Sequence, residues 1–114
     1  MIFEDAVQKA QDKYFHNAKT REDAMNITMA YYKDNFNMTK LNLKGVQSEL
    51  AGITNKYTGK TDDANIVKWS KEIYAFMKKK KAVINPDFDP LEYLAVNFIA
   101  GENGSGTWAS IYKK

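Results

Sequence analysis

The sequence predicts an all-α fold, a compact single-domain bundle of about five helices with a short C-terminal extension. Apolar side chains recur every three or four residues along most of the chain, which is the period of an α-helix. Capping residues or prolines stand before several of these segments. The 114 residues are 44% hydrophobic and 27% charged, which is ordinary for one globular domain.

The first two helices are predicted over residues 2–15 and from Thr20 to about Phe36. The first carries apolar residues along one face: Phe3, Ala6, Val7, Ala10 and Tyr14. Thr20 followed by Asp23 is a variant of the capping box. The second helix is apolar over more than half its circumference, which is typical of a helix at the centre of a bundle or at an oligomer interface.

The middle of the chain predicts a break at residues 35–39 and then two more helices. The third helix carries an apolar seam at intervals of three and four residues: Leu43, Val46, Leu50, Ile53 and Tyr57. Gly52 weakens this helix and is a candidate for ending it early. The fourth begins at Thr61 or Asp62, and its predicted inner face is Ile66, Trp69, Ile73, Phe76 and Met77.

Turn chemistry at residues 85–90 precedes the fifth helix, which has Asp89 as N-cap, Pro90 at N1 and Glu92 at N3. Its predicted buried stripe is Leu91, Leu94, Ala95 and Phe98, and Gly101 is placed just past its end. Residues 1–106 therefore form the helical domain. Residues 107–114 form an aromatic and basic tail, either helix or strand, that docks on this domain or on a partner.

Several function classes are excluded by residue types. The chain has no cysteine and one histidine, His16, so a thiolate metal site, a disulfide scaffold and a cysteine nucleophile are ruled out. We expect no cofactor, no metal and no enzymatic activity. No apolar run approaches the roughly 20 residues of a membrane span, and the N-terminus lacks a signal-peptide pattern, so we expect a cytoplasmic protein.

The charge is uneven along the chain and indicates a nucleic-acid partner. Residues 39–81 hold ten lysines against four carboxylates, a net charge of +6, whereas both flanking segments are mildly acidic. A clustered basic surface is typical of proteins that bind polyanions. The predicted contacts are Asn65 to a base and lysines to phosphates, namely Lys56, Lys60, Lys68, Lys71, Lys78, Lys79, Lys80 and Lys81. The alternative is that the lysine run is a solvated helix end that complements the helix dipole.

A helix-turn-helix is one way to use this segment, with Val46–Gly52 as the first helix and 62–77 as the recognition helix. The interval of about ten residues between them argues against it, because the usual turn has three or four. The abundance of lysine and asparagine is typical of an AT-rich genome. We therefore expect a small accessory protein of a phage or mobile element, in regulation, replication or packaging.

A protein-interaction module, such as an inhibitor or assembly factor, is the competing hypothesis. It would use the Met- and Tyr-rich face of the second helix or the aromatic tail. Under this hypothesis the partner is another protein or a second copy of this chain. The candidate contact residues are Met25, Met29, Tyr32, Phe36, Trp108 and Tyr112.

Overall fold

The computed structural model describes residues 2–60 and 62–102, and within these ranges the chain is a compact bundle of helices without strands. The prediction of an all-α fold is confirmed. No helix in these ranges is both long and apolar enough to cross a membrane. The helices are α1 (Ile2–Ala10), α2 (Arg21–Asn35), α3 (Met38–Leu41), α4 (Lys44–Lys56), α5 (Asp63–Lys79) and α6 (Pro90–Glu102).

Helix α6 is the centre of the bundle, and it packs against α1, α2 and α5. It is buried on nearly every face, because helices lie on several sides of it; its buried residues are Tyr93, Leu94, Ala95, Val96, Asn97, Ile99 and Ala100. The predicted stripe was too narrow, since Tyr93, Val96 and Ile99 are buried as well. Two of its members, Leu91 and Phe98, are only half-buried. The predicted end at Gly101 was also wrong, because the helix continues through it to Glu102.

Helix α2 lies at the side of the bundle instead of at its centre. Its buried residues are Ala24, Tyr31 and Asn35, whereas Met25 and Met29 are 40% and 51% exposed. Its predicted capping box is present: the Asp23 amide donates to Thr20 Oγ1 at 3.0 Å, and the Thr20 amide donates to Asp23 Oδ2 at 3.2 Å.

Helix α1 continues without a break into a π-helical turn at Gln11–Phe15. A π turn holds more residues than an α turn, so the face that points inward shifts along the sequence. Phe15 is therefore buried at 5% exposure, while Tyr14, which the α-helical period predicts on the inner face, is only half-buried.

Helix α4 runs through Gly52 to Lys56, so the glycine does not end it. A Cβ atom placed on Gly45 or Gly52 would meet nothing within 4 Å, which puts both glycines on the open side. The predicted break at residues 35–39 also contains the start of a one-turn helix, α3. Its N-cap is Asn37, whose side chain accepts the Lys40 amide at 3.3 Å.

Of two adjacent tyrosine hydroxyls on α2, one has a hydrogen-bond partner and the other has none among the described residues. Tyr32 Oη donates to Asn97 Oδ1 at 2.6 Å, and Asn97 Nδ2 donates to the Tyr93 carbonyl at 2.8 Å. The hydroxyl of Tyr31 is buried and has no hydrogen-bond partner among the described residues. Burial raises the pKa of Tyr31 far above its ordinary value, with smaller contributions from Glu92 and Tyr14.

We predict opposite effects for the same change at these two adjacent tyrosines. Tyr32→Phe leaves Asn97 Oδ1 buried without this donor, so the free energy of unfolding should fall by about 1–3 kcal/mol. Tyr31→Phe removes a hydroxyl that is buried without a partner, so the free energy of unfolding should stay unchanged or rise slightly. Urea unfolding of both variants measures the difference. Equal losses in both would contradict the hydrogen bonds described here.

Candidate nucleic-acid interface

The segment that follows the lysine run is paired with the end of α2 through backbone hydrogen bonds. The Asn37 amide donates to the Ala82 carbonyl and the Ile84 amide to the Asn35 carbonyl, both at 2.8 Å. Phe36 and Val83 form an antiparallel bridge between these two bonds. Asn85 Nδ2 also donates to Asn35 Oδ1 at 2.9 Å. The lysine run is thereby fixed beside the α2–α3 connection.

A Schellman turn ends α5 inside the lysine run. The Ala82 amide donates to the Met77 carbonyl and the Lys81 amide to the Lys78 carbonyl, both at 3.0 Å, which is the bonding pattern of this motif. Lys81 has a φ of 57° and so occupies the left-handed position where glycine is usual. Ala82 and Met77 are fully buried, which anchors the turn to the core.

We call the resulting group of side chains the lysine corner; its members are Lys40, Lys78, Lys79, Lys80 and Lys81. Lys40 belongs to it because its amide bonds to Asn37, whose own amide bonds to Ala82. Sequence reasoning missed Lys40 because its neighbours along the chain are neutral. The contact that brings it to the run joins positions far apart in sequence, so the pattern carried no signal for it.

No member of the lysine corner has a carboxylate within 4 Å among residues 2–60 and 62–102, where the ion pairs are Lys13–Glu92 and Lys56–Glu72. Lys78 lies over the ring of Tyr74 at 5.4 Å and Lys80 over the ring of Phe76 at 5.8 Å. Cation–π contacts of this kind orient the ammonium groups without neutralising them. Within the ranges that the structure describes, the ammonium groups of the corner are therefore not engaged in ion pairs.

The solvent face of α5 extends this positive surface. Lys68, Lys71, Lys78 and Lys79 are all exposed, and the helical period places them on the side opposite the buried Ile66, Ile73 and Met77. From Lys68 to Lys79 the helix rises about 16 Å. The structure thus places Lys68 and Lys71 on the same exposed helix face as the first two lysines of the run.

Two of the other predicted nucleic-acid contacts, Lys56 and Asn65, are already bonded to carboxylates. Lys56 forms an ion pair with Glu72, which also accepts the Tyr57 hydroxyl at 2.8 Å. The Lys56 ammonium and then the Tyr57 hydroxyl hold the pKa of Glu72 below its ordinary value, so this carboxylate stays charged. Asn65, the predicted base contact, donates to Asp62 Oδ1 at 2.6 Å. Lys60 is exposed in the connection between α4 and α5.

In the structure, the interval between the two helices of the proposed helix-turn-helix is still too long. Helix α4 ends at Lys56 and α5 begins at Asp63, so residues 57–62 connect them, more than the usual three or four. The N-cap of α5 is Asp62, but its side chain makes no capping bond to the backbone.

The residues of the alternative protein-interaction face differ in how far they are exposed. Met25 and Met29 are exposed, Tyr32 is half-buried and Phe36 is 2% exposed. The exposed part of this face is therefore two methionines on the first half of α2. Trp108 and Tyr112, with the rest of the predicted tail, lie outside the described residues.

A second polar cluster lies between α1 and the start of α6, beside a cleft of about 260 Å³ that Asp5, Lys9, Asp89 and Glu92 help to line. Glu92 accepts Lys13 Nζ at 3.2 Å and the Tyr14 hydroxyl at 2.8 Å, so its predicted capping role was wrong. Asp89 does cap α6, because it accepts the Leu91 amide at 2.9 Å.

Within the described ranges, no group of three or more potential ligands is arranged to hold a metal ion.

Comparison of the chain with protein-family models, with curated proteins and with solved structures yields no match.

The left-handed lysine gives a test of the turn that presents the corner. Lys81→Gly should raise the free energy of unfolding by about 0.5–1 kcal/mol, because glycine adopts a positive φ without strain. Lys79→Gly removes the same charge from the last turn of α5 and should lower it by a similar amount, because glycine is unfavourable inside a helix. Chemical denaturation of both variants compares them. A loss of stability in Lys81→Gly would contradict the Schellman turn.

Proposed function

We propose that this protein binds nucleic acid through the lysine corner. The observation that carries the proposal is the backbone pairing of residues 35–37 with 82–84, which sets Lys40 beside the run of four lysines. The run alone is a linear feature of the sequence. Pairing with residues 35–37, which lead into α3, brings Lys40 near the run, so two segments contribute lysines to this side of the protein.

Charge compensation favours a polyanion over a purely structural role for the corner. The C-terminus of a helix carries about half a negative charge, and its effect is confined to the last turn. Five lysines exceed that by far, and none of them has a carboxylate partner among the residues that the structure describes. Their mutual repulsion opposes the folded state, and a row of phosphates would relieve it.

Burial of the neighbouring side chains supports the same surface. Lys40, Lys78, Lys79 and Lys81 are exposed, while Met77 and Ala82 beneath the turn are fully buried. The backbone that carries these lysines is therefore held by packing. Lysines on a fixed backbone lose less conformational entropy on binding than lysines on a flexible tail do.

The proposal predicts a specific loss on neutralising two corner lysines. Lys79→Gln with Lys80→Gln should weaken binding to a labelled duplex by about tenfold or more at about 100 mM salt, and should reduce the slope of log K against log salt by about 2. Fluorescence anisotropy titrations at several salt concentrations measure both quantities.

The matched control is Lys9→Gln with Lys19→Gln, which removes the same charge from exposed positions of α1 and the α1–α2 connection. It should change affinity only slightly. The proposal is contradicted if the wild-type protein fails to bind at about 50 mM salt, or if the control pair costs as much as the corner pair.

The exposed methionines of α2 favour a protein-interaction surface as the second candidate. Unbranched, polarisable methionine side chains adapt to varied partner surfaces. If this face joins two copies of the chain, Met25→Gln with Met29→Gln should turn an oligomer into a monomer, as measured by light scattering. A wild-type protein that is already monomeric would exclude this use of the face.

A further inference from the structure

We propose that the partner is duplex nucleic acid, held by its phosphates without preference for sequence. This inference rests on the proposed function and specifies the class of ligand. It follows from what surrounds the lysines: the rings near them are buried or half-buried, and the exposed side chains of α5 are lysine and alanine.

The aromatic residues near the lysines do not form a stacking surface. Trp69 is fully buried, and Tyr57 stacks on it at a ring distance of 6.0 Å while its hydroxyl is bonded to Glu72. Tyr74 and Phe76 are half-buried beneath Lys78 and Lys80. Single strands bind mainly through unpaired bases stacked on exposed rings. Within residues 2–60 and 62–102 this surface lacks that means of preferring a single strand.

The side chains near the lysines are also poorly suited to recognising particular bases. Bases are read chiefly by arginine, asparagine and glutamine in forked pairings. The exposed residues on the solvent face of α5 are lysine and alanine, and Asn42, two residues after Lys40, is an exposed amide near the corner. Asn65 is engaged by Asp62, and the single arginine of the chain, Arg21, lies at the start of α2. Lysine is a compact point charge that suits phosphates.

Binding by charge alone favours a duplex over a single strand. A duplex carries about one negative charge per 1.7 Å of its axis, which is denser than a single strand, and it releases more counterions for each phosphate neutralised. The exposed lysines also run along α5 and into the Schellman turn that ends it, so the charge is spread over a surface and is not confined to one point.

The test compares four oligonucleotides of equal length with the full chain: two DNA duplexes of unrelated sequence, one single strand and one RNA duplex. We expect the DNA duplexes to agree within about twofold and to bind at least about fivefold more tightly than the single strand at about 100 mM salt. The slope of log K against log salt should be about −4 to −5, since five corner lysines each contribute about 0.9. The RNA duplex should also bind more tightly than the single strand, because the lysines contact phosphates, and an RNA duplex that binds no better than the single strand would overturn the inference.

The outcomes separate this inference from the proposed function. Tighter binding of the single strand, or a difference of more than about tenfold between the two DNA duplexes, would overturn the inference while binding through the corner stands. Failure to bind any of the four at about 50 mM salt would overturn both.

A tail variant, Trp108→Ala with Tyr112→Ala, guards against stacking by rings outside the described residues. We expect its preference for the duplexes to equal that of the wild-type chain. If the variant loses most of its affinity for every oligonucleotide, aromatic stacking holds the ligand and the inference is wrong.

Discussion

The structure depends on a short stretch of backbone pairing between the end of α2 and the segment after α5. Asn35 takes part in this pairing through its backbone carbonyl and also forms side-chain hydrogen bonds. Its side chain donates to the Tyr31 carbonyl and accepts from Asn85. Because Asn35 is 5% exposed, these bonds form in a region where unpaired polar groups are costly. The pairing ties the chain just before α3 to the chain just after the Schellman turn, and this limits the distance between Lys40 and the lysine run.

The same segment connects the charged surface to the core. Residues 82–89 leave the lysine run, pair with the end of α2 and lead into α6, which packs against α1, α2 and α5. Ala82 and Phe88 at its two ends are buried, and Phe88 contacts the rings of Phe36, Tyr74 and Tyr93. This aromatic cluster holds the segment that follows the lysine run in place.

Local features of the fold were predictable from sequence, and features that depend on distant contacts were not. Helical period and caps such as Thr20 with Asp23 are set by neighbours within one turn, so they were confirmed. The central position of α6 and the contact of Glu92 with Tyr14 depend on which helices meet. The lysine run was visible in the sequence, whereas Lys40 joins it through a backbone bond that no periodicity encodes.

If two segments form one binding surface, titration with a DNA duplex should change the amide chemical shifts of both. We expect shifts at Lys40 and at Lys78–Lys81 together, saturating at the same concentration, with Lys9 and Lys19 unchanged. Shifts at the lysine run without Lys40, shifts centred on Met25 and Met29, or no shifts at all would contradict it.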